Sequence, residues 1–348
     1  MRRFSLFVSL VIPSSLALVA CGDPDPVATT GISSGIASLG SDGTDGTSAD
    51  SQDDSGLKLD VASDDETGMA TAGDGSDSGC EKVDLLFVID NSGSMADEQI
   101  NLVNSFPSFI ADIQTTLADA NGYHVGVITS DLYVYNPSCL QEGAMVTQTG
   151  GVDSSNSVCG PYAEGHSYMT EADNLDTTFS CAAQVGTGGD GNERPMTTMV
   201  AALSGTMNGQ GGCNEGFLRD DALLVVVIIT DEEDDHEVDG CLQDPQPGSN
   251  GEPAGWYAGL VATKGGVEEN IVVLALVGPD GPDPAPCPAL DKCSGGIVGA
   301  EVANRIISFT EMFTNGFIGR VCEPSYAAFF SEAVGVIETA CDNFVPIG

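Results

Sequence analysis

The sequence predicts an α/β fold: a doubly wound, mainly parallel sheet with helices on both faces and disulfide-bonded insertions. Two observations carry this. Short, almost continuous apolar runs recur at 83–89, 222–230 and 271–277, the pattern of strands buried on both faces. Between them lie segments whose apolar residues repeat at helical spacing, and that alternation builds parallel sheets covered by helices.

Val83 to Ile89 is apolar apart from Asp84 and too short for a typical helix, so it reads as the first strand. After Ser94, residues such as Met95, Leu102, Phe106, Phe109 and Ile113 recur at helical spacing, with Pro107 a kink. Tyr123 to Thr129 is the second strand. A long Cys- and Gly-rich excursion follows, then a helix from about Pro195 to Met207. Ala222 to Thr230, "ALLVVVIIT", is the third strand. The remaining order is a short helix near Trp256 to Thr263, a strand Ile271 to Val277 and a helix from about Gly299 to Phe313. An edge strand Phe317 to Val321 and a final helix Pro324 to Ala340 close the chain. No internal repeat is visible.

Composition narrows the function. The 348 residues carry 52 Asp plus Glu against 10 Lys plus Arg, a net charge of -42. Nucleic-acid binding needs Lys and Arg to neutralise phosphates, and no such footprint exists here. The same field repels anionic membrane surfaces and gathers cations.

The first 20 residues read as an export signal: Met1-Arg2-Arg3, then an apolar stretch to Leu18 that contains Pro13 and is shorter than the roughly 20 residues a spanning helix needs. Leu18-Val19-Ala20-Cys21 resembles the bacterial lipobox, which implies that Cys21 carries lipid and tethers the protein to a membrane outside the cytoplasm. Gly22 after the cysteine favours the outer membrane by the usual sorting rule. Residues 21–79 hold this Cys21 and a linker of Gly, Ser, Thr, Asp and Ala, with thirteen acids and the single Lys58 between Gly22 and Ser78. Such a composition is expected to remain disordered. The folded domain is expected at 80–348.

Ten cysteines remain beyond Cys21, an even number that argues for disulfides in an exported chain. None is spaced as Cys-x-x-Cys, and only three histidines accompany them, which argues against a structural zinc. Cys322 and Cys341, at opposite ends of the last helix, lie roughly 28 Å apart and are not expected to pair. Cys287 and Cys293 bracket a short loop suited to a local bridge. Cys80 is expected to pin the domain's start to its C-terminal segment.

In doubly wound sheets, ligands bind beyond the carboxyl ends of strands where strand order reverses. Two polar clusters suit that position. Asp90-Asn91-Ser92-Gly93-Ser94 follows the first strand, and Asp231-Glu232-Glu233-Asp234-Asp235 follows the third. A hard cation such as Mg²⁺ takes oxygens, of which only one or two come from carboxylates. Asp90, Ser92 and Ser94 supply oxygens from one tight loop, and Asp231 approaches from the neighbouring strand. The plainer alternative is that Asp90 and Ser92 cap the helix that follows.

At these residues the sequence resembles the von Willebrand factor A (VWA) domain, a Rossmann-like fold whose metal-ion-dependent adhesion site (MIDAS) begins Asp-x-Ser-x-Ser. The match is Asp90, Ser92 and Ser94 within "VDLLFVIDNSGSM", and "IITDEEDD" supplies Asp231. It is closer still to exported bacterial lipoproteins with this domain, in which "FLRDDALLVVVIITDEEDD" and "GTGGDGNERP" have counterparts. The resemblance implies that the serines bind Mg²⁺ (or Ca²⁺ or Mn²⁺) directly while Asp90 and Asp231 act mostly through water. It departs at the middle loop, where the family presents a threonine. Here either Glu193 takes that position or Thr197 or Thr198 reaches back; a glutamate makes the site more negative and more tolerant of Ca²⁺.

The acidic run Glu232, Glu233, Asp234, Asp235 and Glu237 reads as a solvated loop before a second Ca²⁺ site. His124 reads as structural, and His166 and His236 have no diagnostic partner. No nucleophile elbow, phosphate-binding loop or His-Glu-x-x-His is present. The expectation is a cell-envelope lipoprotein, not an enzyme, whose VWA domain binds a divalent metal and an unidentified protein or surface ligand that supplies a carboxylate. The insertion from Asp131 to Ser180, on the same rim, is expected to shape that surface. A structural lipoprotein whose metal only stabilises the fold is the alternative. A metal-dependent phosphohydrolase fares worse, because Ser92 stands where such an enzyme needs a second aspartate.

Overall fold

Six strands form one sheet in the order β3-β2-β1-β4-β5-β6, parallel except for the antiparallel edge pair of β2 and β3. In chain order the elements are β1 Val83–Ile89, α1 Ala96–Thr116, β2 Tyr123–Thr129, β3 Met169–Thr170, α2 Leu175–Ala183, α3 Pro195–Ala202 and α4 Gly205–Asn208. There follow β4 Leu223–Ile229, α5 Pro253–Thr263, β5 Ile271–Val277, α6 Asn304–Thr310, β6 Gly316–Arg320 and α7 Ala327–Asp342. This computed structural model describes residues 79–116, 122–234, 247–282, 284–290 and 298–347. The chain divides into two units, Met1–Met69, which lies outside the described residues, and Ala70–Gly348. The export signal, Cys21 and the linker to Ser78 thus lie outside the described residues, as do Asp235, His236, Glu237, Cys241 and Cys293.

The layering follows from strand alternation. Val83, Leu85, Phe87 and Ile89 turn to one face, where they meet Phe106, Phe109 and Ile113 of α1, Phe179 of α2, and Phe330 and Ile337 of α7. Leu86 and Val88 turn to the other, against Met196 and Met199 of α3, Trp256 and Leu260 of α5, and Ile306 and Phe309 of α6. Every residue of β1, β4 and β5 is buried, which is why these strands read as continuous apolar runs. The exception, Asp84, is matched from within: Arg219 Nε donates to its Oδ1 and Arg219 N to its Oδ2, both at 2.8 Å. Among the described residues no helix is long and apolar enough to cross a membrane.

Three helices differ from expectation for local reasons. The segment from Pro195 to Met207 is two helices, because Ser204 leaves the helix and accepts a bond from Met207 N as the cap of α4. Residues 299–303 do not join α6. They run along the strand ends instead, where Glu301 N donates to Asp231 O at 2.8 Å and Ala303 N to Gly278 O at 2.9 Å. The last helix starts at Ala327 and continues through Cys341. The Cys-rich excursion also holds β3 and α2, with Asn174 accepting from Thr177 N as the cap of α2.

Four disulfides join described cysteines: Cys80–Cys341, Cys139–Cys213, Cys159–Cys181 and Cys287–Cys322. Cys80 does pin the start of the domain to its last helix. The local bridge expected between Cys287 and Cys293 is replaced by one from Cys287 to Cys322, just beyond β6, which lies beside β5.

Candidate metal centre

Strand order reverses between β1 and β4. The chain steps outward from β1 to β2 and β3, then returns to lay β4 on β1's other side. The crevice beyond the carboxyl ends of those two strands is where such sheets place a ligand. Asp90 and Asp231 both stand there, completely buried.

Asp90 is held on both oxygens. The amide of Ser92 donates to Oδ1 at 2.7 Å, closing a tight turn, and Thr230 Oγ1 donates to Oδ2 at 2.6 Å. This turn aims Ser92 and Ser94 the same way, their hydroxyls 3.3 Å apart and both side chains buried. Gln99, from the second turn of α1, donates to the Asp90 carbonyl at 3.1 Å and exchanges two bonds with the backbone of Gly186. The loop is therefore braced from β4 and from the segment before α3.

That segment brings in Glu193. Its carboxyl is buried near that of Asp90 and accepts a hydrogen bond from the Ser130 hydroxyl, while its Oε1 has no partner. The Ser130 oxygen also lies 3.1 Å from Asn91 Oδ1, and Asn91 Nδ2 donates to Asp131 Oδ1 at 3.1 Å. Gly189 bonds the Asn91 carbonyl at 2.9 Å so closely that any side chain there would collide with Asn91. The two threonines of α3 are engaged elsewhere. Thr197 Oγ1 accepts from Asn250 N at 3.1 Å, and Thr198 Oγ1 donates to Pro195 O at 3.0 Å. Of the three alternatives for the middle-loop position, the geometry brings Glu193 and not Thr197 or Thr198 to Asp90.

The electrostatics are those of acids crowded out of water. Burial raises the pKa of Asp90, and burial followed by the charge of Asp90 raises those of Glu193 and Asp231. Neither oxygen of Asp231 receives a hydrogen bond; the nearby Ser94 hydroxyl favours its charged form only in part. Glu98, in the first turn of α1, is pushed up to about 9, first by burial and then by the charge of Asp231. A buried carboxylate without donors is costly, and protonation or a cation relieves it. Among the described residues no three His, Cys, Asp or Glu side chains form a set that could hold a metal by themselves. The hydroxyls of Ser92 and Ser94 would have to complete it.

Two members of the acidic run, Glu233 and Asp234, are buried and not solvated; Asp235 and Glu237 lie outside the described residues. Glu233 is buried and accepts from the amides of Asp234 at 2.9 Å and Arg305 at 3.0 Å. Asp234 accepts from the amides of Met196 at 3.2 Å and Ser249 at 2.5 Å, so both acids tie loops together. His124 is structural: Nδ1 lies 2.7 Å from the Phe217 carbonyl. Sequence alone does not single out Ser130, Thr230 or Gln99. The first two follow strands directly, which is the signal that marks them; Gln99 bears none beyond its place on the helix.

Sequence comparison finds neither a matching family model nor a matching curated protein. Among solved structures, the chain is similar to proximal thread matrix protein 1 from the mussel byssus, at 11% identity and a TM-score of 0.35. The match covers 75% of this chain and 49% of the mussel protein, so the chain spans about half that protein's length.

Proposed function

We propose that residues 80–348 form a VWA-like binding module whose divalent cation, Mg²⁺ or one of Ca²⁺ and Mn²⁺, is held by Asp90, Ser92, Ser94, Asp231 and Glu193. The observation that carries this reading is the pair of Asp231 oxygens, buried without a donor beside the buried carboxyls of Asp90 and Glu193. Three acids gathered at a sheet's switch point make poor sense as packing and good sense as a cradle for positive charge. Helix capping by Asp90 and Ser92 does not account for Asp231 or Glu193.

A bound cation would neutralise these carboxyls and offer an open coordination position to a partner's carboxylate. The chain's own contribution is to hold the cradle still. Thr230 and the Ser92 amide orient Asp90, Gln99 fixes its backbone, and Ser130 orients Glu193. We read the whole as a non-enzymatic lipoprotein of the cell envelope, anchored through Cys21 and placed at the outer membrane, with the acidic linker as its stalk. The depth of Asp90 and Asp231 favours a second reading, in which the cation only stabilises the fold.

The test is thermal unfolding of the oxidised mature chain in EDTA and then in Mg²⁺, Ca²⁺ or Mn²⁺, beside Asp90→Ala. Site binding at a hundred times the dissociation constant adds about 2.7 kcal/mol. General screening of so acidic a chain raises both proteins alike, so only a rise that Asp90→Ala loses supports the site. Equal rises overturn it. EDTA-sensitive capture of a carboxylate-bearing partner separates the binding module from the structural reading.

A further inference from the structure

The rim that carries Asp90 also carries a groove of about 320 Å³, walled by Leu132, Tyr133, Val134, Tyr135 and Val185 and bounded by Asn91. Asn91 lies between Asp90 and Ser92, so the groove begins where the proposed metal site ends. Leu132, Val134 and Tyr135 are 41%, 65% and 38% exposed, an apolar cluster open to solvent beside a polar cradle. Contiguous exposed apolar surface with a polar rim marks interaction sites.

The groove is formed in advance. Tyr133 Oη donates to Val185 O at 2.6 Å, joining its two walls. Its polar edge is fixed by Asp131, which accepts from Asn91 Nδ2 at 3.1 Å and from Asp190 N at 2.8 Å. Gln99 joins Gly186, next to the wall residue Val185, to the carbonyl of Asp90. A site that needs no ordering loses little affinity to entropy.

Charge selects the occupant. Asp131, Asp190 and Arg194 line the polar edge; Arg194 is paired with Glu142 at 2.6 Å, which leaves the two aspartates and a net charge of -42 to repel a tract of acids. One carboxylate is favoured only where the cation sits; its neighbour over the groove must be uncharged and apolar. A single aromatic side chain, which buries about 150–250 Å², finds apolar partners in a groove walled by two tyrosines and three aliphatic side chains.

We propose that the groove seats an aromatic side chain adjacent in sequence to the carboxylate that a protein partner brings to the metal, the partner segment being otherwise free of acids. This rests on the metal-site reading and names the partner class it implies.

The probes are two blocked peptides, Gly-Asp-Trp-Gly and Gly-Asp-Ala-Gly, titrated by NMR into the full mature chain in saturating Mg²⁺, with Mg²⁺ binding measured separately by calorimetry. The tryptophan peptide should bind about tenfold more tightly. Val134→Ser, at the most exposed wall position, should erase most of that difference and leave Mg²⁺ affinity unchanged; Tyr135→Ser should do the same. Equal affinities for the two peptides, no binding of either to Mg²⁺-loaded protein, or a preference that survives both substitutions would each overturn the groove while leaving the metal site standing. Absence of Mg²⁺ binding would overturn both.

Discussion

Asp90 and Asp231 close two adjacent parallel strands, paired with Ile89 opposite Ile229, and both are completely buried; only Asp90 is held by hydrogen bonds. The difference separates their mutants. Asp231→Asn removes an unsupported buried charge and should stabilise the metal-free protein by about 1–3 kcal/mol. Asp90→Asn strands the Thr230 hydroxyl or the Ser92 amide and should destabilise it by a similar amount. Both should lose the metal-induced rise in stability. Urea unfolding in EDTA and in Mg²⁺ reads all four values, and a destabilised Asp231→Asn in EDTA would contradict the picture of an unsupported carboxylate.

Glu193 adds a third carboxyl where the resembled family places a threonine. Ligand charge and flexible coordination favour Ca²⁺ over Mg²⁺. Glu193→Thr should therefore lower Ca²⁺ affinity about tenfold more than Mg²⁺ affinity. Competition titration of the two ions against Mn²⁺ measures the ratio, and an equal loss of both would remove Glu193 from the ligand set.

The parts of this centre differ in how far sequence alone reveals them. β1, β2 and β5 keep the bounds predicted for them: β5 is apolar throughout and β1 apart from Asp84, while β2 enters the core only after the half-buried Tyr123 and His124. Asp90 and Ser92 follow from the end of β1, and Asp231 from the end of β4. The helix after Glu193 is misread because Met196, Met199, Leu203 and Met207 keep one apolar rhythm across the cap at Ser204. In the excursion, Leu175, Phe179, Ala182 and Ala183 show helical spacing, but α2 is only 9 residues long, with Cys181 inside it and Asn174 and Gln184 at its ends. Glu233 and Asp234 look solvated because their donors, the amides of Arg305, Met196 and Ser249, are distant in sequence. Tertiary pairing of that kind leaves no local pattern.

At the opposite end of the sheet, His124 carries a pH dependence of its own. Burial lowers its pKa to about 4 from 6.5, against the backbone carbonyl of Phe217, with Asp84 at 3.6 Å and Arg219, His166, Glu171 and Tyr168 around it. The unfolded chain then binds more protons between pH 4 and 6.5, so this contribution to stability is lost as pH falls through that window. Burial raises Asp84 to about 6, which gives the opposite slope between pH 3.8 and 6. The two offset each other in the native protein. His124→Asn removes one of them, so native minus mutant stability should fall by about 2–3 kcal/mol from pH 6.5 to 4. Urea midpoints measured across that range show it; parallel profiles would place His124 outside the titration.

The disulfides should rank by the chain they close. A crosslink stabilises chiefly by restricting the unfolded state, more for a longer loop. Cys80–Cys341 spans a separation of 261 residues, against 74 for Cys139–Cys213 and 22 for Cys159–Cys181. The first also joins the chain three residues ahead of β1 to α7, where Cys80 N donates to Cys341 O at 3.0 Å, so its loss frees both ends of the domain. Replacing both cysteines of that pair by serine should cost about 5–6 kcal/mol, and the Cys159–Cys181 pair about 3–4 kcal/mol. Guanidinium unfolding of the two double mutants tests the order. A larger cost for Cys159–Cys181 would mean that the short bridge does more than restrict the unfolded chain: Ser155 Oγ donates to the Cys181 carbonyl at 2.8 Å, and without the bridge the insertion would lose its hold on α2.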